Sequence, residues 1–488
     1  MVEGNKHTVS YNVVMNAIVM ASSFVFPLIT VPYVSRVLLE YGNGIVAFSQ
    51  SFVYYFSIIA SMGVANYGVV ACSKHKGERE KLSITVYEIA CVLAVASLFV
   101  TVVYIAVVAV GSTFDAERLL FFAMSASIWT TSFSFEWLYQ ALEQYDYITL
   151  RTLVVRTLGT IAIFPLVTSA DDYLIYALIT VATQGSACVI NLVHARTYLE
   201  RTKLSSIHPT KHVKPMITYL VANMSSGMCA KSDTLILGFL GSVEAVGIYQ
   251  LAAKVKTMVV AATNSVSSVL LPRLTSYSTH GEEERYLRLL AYGIDFSLIV
   301  GLGAVFCIVL CARPIILILG GEQFIGSIAP LVALTPAILF STIASVITQT
   351  LLITGKEAQF AMANVVSLLV AVLGNIVLIP RLGIIGPAIA ISISQLVMLV
   401  IAAYKAKESL LVIKGRVDAV KIVAAVVLAV VVSACVSHLL SDFNVIVQLL
   451  CVGSVFASSY LFVLLLIRED LTIAVFARFL KKGKRKDG

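Results

Sequence analysis

The chain has 488 residues, of which 59% are hydrophobic and only 13% charged, and its mean hydropathy is +0.93. A soluble domain of this size would carry about a quarter charged residues, so the composition excludes one large soluble core. The net charge of +8 does not indicate nucleic-acid binding, because the basic residues lie mostly in the loops between apolar stretches and near the end of the chain.

Apolar stretches of about 20 residues recur from end to end, each long enough to cross about 30 Å of hydrocarbon, and they predict an all-α, polytopic membrane protein with about 14 transmembrane helices. The predicted spans lie near residues 13–35, 44–66, 83–110, 118–139, 150–169, 173–194, 215–239, 245–271, 289–311, 327–353, 358–379, 383–403, 419–440 and 446–467. The stretch from Val13 contains Pro27 and Pro32 and lacks a convincing small-residue cleavage site, so we interpret it as a permanent span rather than a signal peptide. Residues 227–240 allow a break within the seventh span.

Lys and Arg residues divide sharply between alternate loops. One set of loops, with both ends of the chain, carries nearly all of them, including Arg151, whereas the other set has only Arg36, Arg118, Arg313 and Arg381. Positive loops stay in the cytoplasm, so both termini are predicted to be cytoplasmic. The basic tail is either solvated or a short in-plane helix held on anionic lipid.

Two stretches about 200 residues apart repeat the same order of features. The markers are Gly44-Ile45 and Gly77-Glu78 in the first copy, and Gly247-Ile248 and Gly281-Glu282 in the second. Six spans separate the copies, so both enter the membrane from the same side as a parallel repeat. Duplicated membrane halves are typical of a transporter whose substrate site lies between them.

The repeat predicts five segments. They are an N-terminal six-helix lobe at residues 1–194, a basic cytoplasmic linker at 195–214, a C-terminal six-helix lobe at 215–404, two appended helices at 405–467, and a basic cytoplasmic tail at 468–488. Pro27 and Pro32 correspond roughly in position to Gly227 and Gly238, and each pair marks either a hinge or a packing position.

Charged residues inside the predicted spans are the candidates for function, because a Lys or Arg at the centre of a membrane helix costs about 2.5–3.5 kcal/mol. They are Arg156, Lys231, Asp233, Lys254, Lys256 and Asp295. Structural ion pairs are the alternative for this group. Glu88 is expected to reach the membrane interface, whereas Glu136 is compatible with either role.

A cationic interior suits an anionic substrate, since phosphate and diphosphate groups pair with Lys and Arg. We predict that an anionic head group is bound by Arg36, Arg156, Lys231, Lys254 and Lys256. Asp233 or Asp295 would carry a coupling proton or sodium ion. Because the first copy has Ser51 and Val53 opposite Lys254 and Lys256, we expect the second half to supply most of the binding charge.

The sequence contains no Ser/His/Asp grouping, no phosphate-binding glycine loop and no metal-ligand spacing, and its eight cysteines lie in or beside apolar spans. We therefore predict a protein that is not an enzyme and that has no cofactor and no metal site.

Four segments resemble bacterial O-antigen and capsule flippases of the Wzx type. They are residues 26–38 (FPLITVPYVSRVL), 135–143 (FEWLYQALE), 231–238 with 246–249 (KSDTLILG and VGIY), and 378–388 (LIPRLGIIGPA). The resemblance covers about residues 10–405 in the right order. One departure concerns Glu136, since the family often has Asp or Phe before this Trp, and Glu136 is therefore given no fixed role.

The resemblance implies the fold of multidrug and toxic-compound extrusion transporters, with two six-helix lobes around a V-shaped cavity. It also implies a flippase that moves undecaprenyl-diphosphate-linked oligosaccharide across the bacterial plasma membrane, with membrane lipids and polysaccharide polymerase and chain-length components as partners and no nucleic acid.

Three alternatives remain open. A drug or cation antiporter of the same fold predicts acid-dependent efflux of cationic dyes. A polysaccharide polymerase or ligase would need large external loops, and the short external loops argue against it. A non-transporting scaffold would leave the duplicated halves and buried charges without a purpose.

Overall fold

The computed structural model describes residues 9–200, 207–413, 415–440, 443–469 and 471–473. Every regular element in this part of the chain is helical, which confirms the all-α prediction. The α-helices are α1 (Val9–Ala60), α2 (Val64–Ser73), α3 (Arg79–Val110), α4 (Arg118–Met124), α5 (Ala126–Ser132), α6 (Glu136–Ala141), α7 (Tyr145–Leu166), α8 (Tyr173–Ala195), α9 (Thr210–Leu240), α10 (Val243–Thr279), α11 (Glu283–Leu319), α12 (Ile328–Ala333), α13 (Thr335–Ile353), α14 (Glu357–Leu382), α15 (Gly386–Lys405), α16 (Lys407–Ile413), α17 (Ala419–Leu439) and α18 (Val445–Leu466). Short 3-10 segments lie at Ser112–Glu117, Ala170–Asp172, Glu322–Ser327 and Gly383–Ile385.

Ten helical segments of the described chain are long and apolar enough to cross a membrane. Two of them, Val25–Ser73 and Glu357–Lys405, have 49 residues each. That is more than twice the length of about 20 residues that crosses the hydrocarbon. The multi-pass membrane class is therefore confirmed, while the count of fourteen spans stays a prediction.

Helix α1 consists of two arms. Its backbone leaves the helical conformation at Leu39 (φ 58, ψ −165), which separates residues 9–38 from residues 40–60. Pro27 and Pro32 lie inside the first arm, yet Leu39 is the position where the helix is interrupted. The turn between the first two predicted spans therefore comes from a left-handed leucine.

A break lies in the fourth predicted span and not in the seventh. Helices α4, α5 and α6 divide residues 118–141, with Phe135 in the left-handed region (φ 53). Helix α9 runs from Thr210 to Leu240 without interruption, so the break that residues 227–240 allow does not occur. Gly227 and Gly238 instead let α9 pack closely on the second arm of α1, against Tyr54 and Phe48 respectively.

The chain forms two compact units, Met1–Gln250 and Leu251–Gly488, which divide within α10. In the first unit, a buried apolar cluster of α2, α3 and α6 includes Trp137 and Leu138. In the second unit, α17 and α18 pack on α11, and the Tyr460 hydroxyl donates to Ile299 O at 3.1 Å. The predicted lobe and linker boundaries stay predictions.

The second pair of repeat markers forms the same turn in both copies. Gly77 (φ 99) and Gly281 (φ 71) have left-handed backbones just before α3 and α11. An ion pair follows each glycine, Lys81–Glu78 and Arg285–Glu282, each at 2.6 Å. The hydrogen bond from Lys81 lowers the pKa of Glu78 below its ordinary value.

The basic tail beyond residue 473, Lys6, and residues 201–206 of the predicted linker lie outside the described residues.

Candidate functional site

A polar cavity of about 630 Å³ lies within the first unit. Its walls come from the second arm of α1, from α4 and α5, from the break before α6, and from α7, α8 and α9. Helices that are distant in sequence therefore meet around one space within the membrane-spanning part of the chain.

The charged side chains that line this cavity are mostly cationic. They are Arg151, Arg156, Lys231 and the single acid Glu136. The two arginines come from the predicted first half and Lys231 from the second. The expectation that the second half supplies most of the binding charge stays a prediction. An excess of positive charge in a partly enclosed space favours an anionic ligand.

Arg151 lines the cavity, although it was not among the residues predicted to bind an anionic head group. It lies about two turns inside α7 and not in a loop, and its side chain is only 7% exposed. Its Nη2 donates to Glu136 Oε2 at 3.3 Å, and its buried Nε has no partner among the described residues. A guanidinium carries five N–H donors, so this arginine retains unused donor capacity next to the cavity.

Arg156 connects α7 to the first arm of α1. Its Nη1 donates to the hydroxyls of Ser22 and Ser23 and to Val19 O, the last at 3.3 Å. These acceptors are neutral, so the contacts orient the guanidinium without cancelling its charge.

Lys231 reaches the cavity from α9, and close packing determines the position of that helix. A Cβ on Gly227, one turn earlier, would lie 2.5 Å from Tyr54 Oη, and the Tyr55 hydroxyl donates to Met228 O at 2.8 Å. Small residues permit such close helix contacts in membranes. Lys231 is therefore held beside the second arm of α1.

The break between α5 and α6 forms part of the cavity wall. The Cys188 thiol donates to Phe133 O at 2.7 Å, and Asn191 Nδ2 donates to Ser134 O. Side chains of α8 thus satisfy carbonyls that a continuous helix would have bonded. Irregular backbone at membrane depth is tolerated where it is buried in protein or lines a cavity, and broken helices mark binding sites in transporters.

Neutral polar groups line much of the remaining surface. They are Gln50, Ser57, Ser127, Thr130, Thr131, Ser134, Thr152, Thr180, Thr183 and Gln184. Hydroxyls and amides both donate and accept hydrogen bonds, as the hydroxyls of a sugar require. This polar wall depends on which faces of four helices meet, and the sequence alone does not show that.

The other predicted site residues lie elsewhere. Arg36 is exposed on the first arm of α1, while Lys254 and Lys256 are half-buried on α10 in the second unit. Asp233 is buried and accepts hydrogen bonds from the Tyr249 hydroxyl (2.6 Å) and from Thr234 N (2.7 Å). The structure therefore brings two predicted residues, Arg156 and Lys231, to one cavity.

Asp295 is fully buried in α11 and accepts a hydrogen bond from Asp418 N at 3.0 Å, just before α17 begins. This contact anchors the first of the two appended helices. Within the described chain, no three His, Cys, Asp or Glu side chains are placed to hold a metal ion.

Glu88, which we expected to reach the membrane interface, is instead enclosed by protein groups. Its side chain is fully buried and accepts hydrogen bonds at 2.8 Å from His208 N, His212 Nε2 and Lys211 Nζ. With Nε2 of a neutral imidazole donating to Glu88, Nδ1 accepts from the Tyr67 hydroxyl. The network joins the beginning of α9 to α2 and α3.

Comparison with known families confirms the resemblance seen in the four sequence segments. Residues 9–278 match the family model described as polysaccharide biosynthesis protein. Residues 188–460 match the model described as lipid II flippase MurJ.

Curated relatives are more distant and match part of their length. Agl15 of Haloferax volcanii, named as a flippase of low-salt glycan biosynthesis, is 23% identical over 198 residues, which are 40% of this chain and 42% of that protein. A protein of Escherichia coli (strain K12) named as an O-antigen transporter is 20% identical over 280 residues, 56% of this chain and 66% of that protein. The chain thus spans less than two thirds of the length of each of these relatives.

Solved structures share the fold over most of the chain. Lipid II flippase MurJ in an inward closed conformation superposes with a TM-score of 0.73 at 14% identity, covering 95% of this chain and 99% of that one. An inward-facing multidrug resistance MATE transporter superposes with a TM-score of 0.63 at 14% identity, covering 82% of this chain and 99% of that one. At this identity the likeness concerns the fold alone. With more than half of its length matched by the family model, the chain belongs to the polysaccharide biosynthesis protein family, the Wzx-type membrane proteins that the four sequence segments predict.

Proposed function

We propose that the protein is a flippase that moves an undecaprenyl-diphosphate-linked oligosaccharide across the bacterial plasma membrane for O-antigen or capsule biosynthesis. The observation that carries the proposal is the cavity in the first unit, where Arg151, Arg156 and Lys231 face one acid, Glu136, among many hydroxyls. The family membership and the flippase and transporter names of the relatives support it.

The chemistry of the substrate matches the two kinds of cavity wall. A diphosphate pairs with Arg and Lys through charge-assisted hydrogen bonds, and arginine can bind phosphate oxygens in a bidentate fashion. Sugars exchange hydrogen bonds with Ser, Thr and Gln side chains. The lipid tail would stay in the bilayer while the head group crosses by alternating access.

The remaining predicted residues take part in the same proposal. Arg36, Lys254 and Lys256 would hold the diphosphate or acidic sugars at other stages of the crossing. Asp233 is our first candidate for coupling to a proton or sodium ion, because Asp295 already anchors α17 through Asp418 N. Both termini would be cytoplasmic, as the loop charges predict.

Drug export is the alternative that the cavity disfavours. A cationic drug would meet three positive side chains, and the one acid is engaged with Arg151. Like charges at close range oppose binding.

Reconstitution tests the proposal directly. The purified chain in proteoliposomes is expected to move a fluorescent polyprenyl-diphosphate-linked N-acetylglucosamine to the opposite leaflet, measured by dithionite quenching. Fluorescent phosphatidylethanolamine serves as the control lipid and should stay in place. Acid-dependent uptake of a cationic dye without movement of the diphosphate lipid would contradict the flippase proposal and support an antiporter instead. Reporter fusions at both ends test the cytoplasmic location of the termini.

A further inference from the structure

Glu136 occupies a fixed place at the edge of the cavity. Its neighbour Phe135 is buried in a left-handed conformation and stacks on Trp137 with ring centroids 5.6 Å apart. Trp137 in turn packs against Gly68, where a Cβ would lie 2.5 Å from Cε3. The backbone of Glu136 is therefore held by packing on both sides, and its side chain is the part that can move.

The contact between Glu136 and Arg151 is incomplete. One nitrogen, Nη2, meets one oxygen, Oε2, at 3.3 Å, and the buried Nε has no partner among the described residues. A carboxylate and an arginine usually form two parallel hydrogen bonds where the geometry allows it. Glu136 thus supplies a counter-charge without using the full donor set of Arg151.

The two side chains differ in exposure. Arg151 is 7% exposed and Glu136 is 41% exposed, although both line the cavity. A buried arginine needs a counter-ion, because an uncompensated charge away from water is strongly unfavourable. The more exposed carboxylate can leave the pair for the cavity, provided that another anion takes its place.

We propose that Glu136 is an internal counter-anion that a phosphate of the substrate displaces from Arg151. The inference rests on the proposed flippase function and concerns the same cavity. A phosphate bound to Arg151 would repel Glu136, so the carboxylate swings away when the head group enters. When the head group leaves, Glu136 pairs with Arg151 again, which aids release.

Displacement of Glu136 has a cost in affinity. A head group that takes the place of Glu136 must recover the lost attraction between Glu136 and Arg151 before it gains any affinity. A diphosphate carries more negative charge than a monophosphate and would also reach Arg156 or Lys231, so it recovers this cost more fully. Glu136 is thus a positioning residue that sets the affinity for phosphate through Arg151.

Binding of two short probes to the purified full-length protein tests the proposal. Farnesyl diphosphate and farnesyl monophosphate are titrated by calorimetry in detergent. The wild type should favour the diphosphate, and Glu136→Gln should bind both probes about tenfold more tightly, because neither has to displace a carboxylate. Arg151→Gln should weaken both probes, and Glu143→Gln, which changes a nearby surface carboxylate paired with Lys76, should change neither.

Transport kinetics separate this role from a merely structural one. Glu136→Gln should lower both the half-saturating concentration of the fluorescent diphosphate lipid and its maximal flipping rate, because release becomes slower. Glu136→Asp keeps the charge and should stay close to wild type, whereas Glu136→Ala removes the charge and replaces Gln if the Gln variant does not fold. A folded Glu136→Gln or Glu136→Ala variant that binds both probes no more tightly than wild type overturns the inference and leaves the flippase proposal standing. Failure of the wild type to bind farnesyl diphosphate and to flip the lipid overturns both.

Discussion

Gly44 and Gly247, the first glycine of each sequence copy, contact each other where the second arm of α1 crosses the beginning of α10. A Cβ on Gly44 would lie 2.9 Å from Gly247 N and would overlap Val243 O, and a Cβ on Gly247 would lie 3.1 Å from Gly44 N and would overlap Glu40 O. The obstructing atoms belong to the backbone, so neither helix can accommodate a side chain by a rotamer change. The glycines that mark the repeat are thus a reciprocal packing contact of the kind that small residues allow in membranes.

Alanine at either glycine should destabilise this crossing. We expect Gly44→Ala and Gly247→Ala each to cost about 1–3 kcal/mol, the usual effect of overpacking. The melting temperature of the detergent-solubilised protein should fall for both. Gly453→Ala in α18 is the matched control, because a Cβ there would have no neighbour within 4 Å. This variant should leave the melting temperature unchanged. An unchanged melting temperature in both test variants would contradict the contact.

Alanine at the two turn glycines, Gly77 and Gly281, should also lower the stability of the protein, but for a different reason. Gly77 and Gly281 have positive φ and no neighbour within 4 Å, so alanine there meets conformational strain of about 1–2 kcal/mol rather than a clash. Asparagine tolerates the left-handed region and should be milder than alanine at both positions. Gly415→Ala, also without a near neighbour, is the control turn. Equal stability of the Ala and Asn variants would argue against strain as the cause.

Glu88→Gln should be strongly destabilising. The buried carboxylate accepts from three donors at 2.8 Å, and breaking a buried charged network typically costs about 3–5 kcal/mol. Lys211→Gln should have a small effect, because that lysine is 55% exposed. Thermal unfolding monitored by size-exclusion chromatography measures both. An equal fall in the melting temperature of the two variants would mean that the burial of a side chain does not determine how much it stabilises the network.

The two lysines of α10 provide a test of the anion-binding prediction in the second unit. We expect Lys254→Ala combined with Lys256→Ala to reduce flipping of the diphosphate lipid at least about tenfold, because charged contacts to phosphate are lost. Lys405→Ala combined with Lys407→Ala has the same spacing and serves as control, since those lysines flank the exposed Tyr404 ring. Unchanged surface polysaccharide in cells with normal levels of the first double variant would refute this role.

Asp233 and Asp295 should separate into a coupling role and a structural role. Asparagine at position 233 can still accept from the Tyr249 hydroxyl but removes the charge. We expect Asp233→Asn to abolish the dependence of flipping on a proton or sodium gradient. Asp295→Ala should instead lower the melting temperature, because it removes the acceptor for Asp418 N at the beginning of α17. Gradient-dependent flipping that persists in Asp233→Asn and disappears in Asp295→Ala would reverse the assignment.

Some features of the site could be predicted from residues alone. Arg156 and Lys231 were recognisable because a charge inside an apolar stretch is unfavourable unless a cavity or a partner receives it. Arg151 was not, since it lies near the polar end of its stretch, where hydropathy does not distinguish a cytoplasmic loop from a buried turn of helix. The break before Glu136 was hidden as well, because residues 118–139 contain no proline or glycine to mark an interruption.

The sequence by itself determined the membrane class, the helical content, the family and the repeated glycines, because each of these depends on the transfer of one segment into hydrocarbon or on one local turn. Only the tertiary structure decided that Arg151 meets Glu136, that Asn191 bonds the open carbonyl of Ser134, and that Gly44 touches Gly247. These contacts join helices that are distant in the chain, and hydropathy contains no information on which faces meet. The cavity exists only where those faces come together.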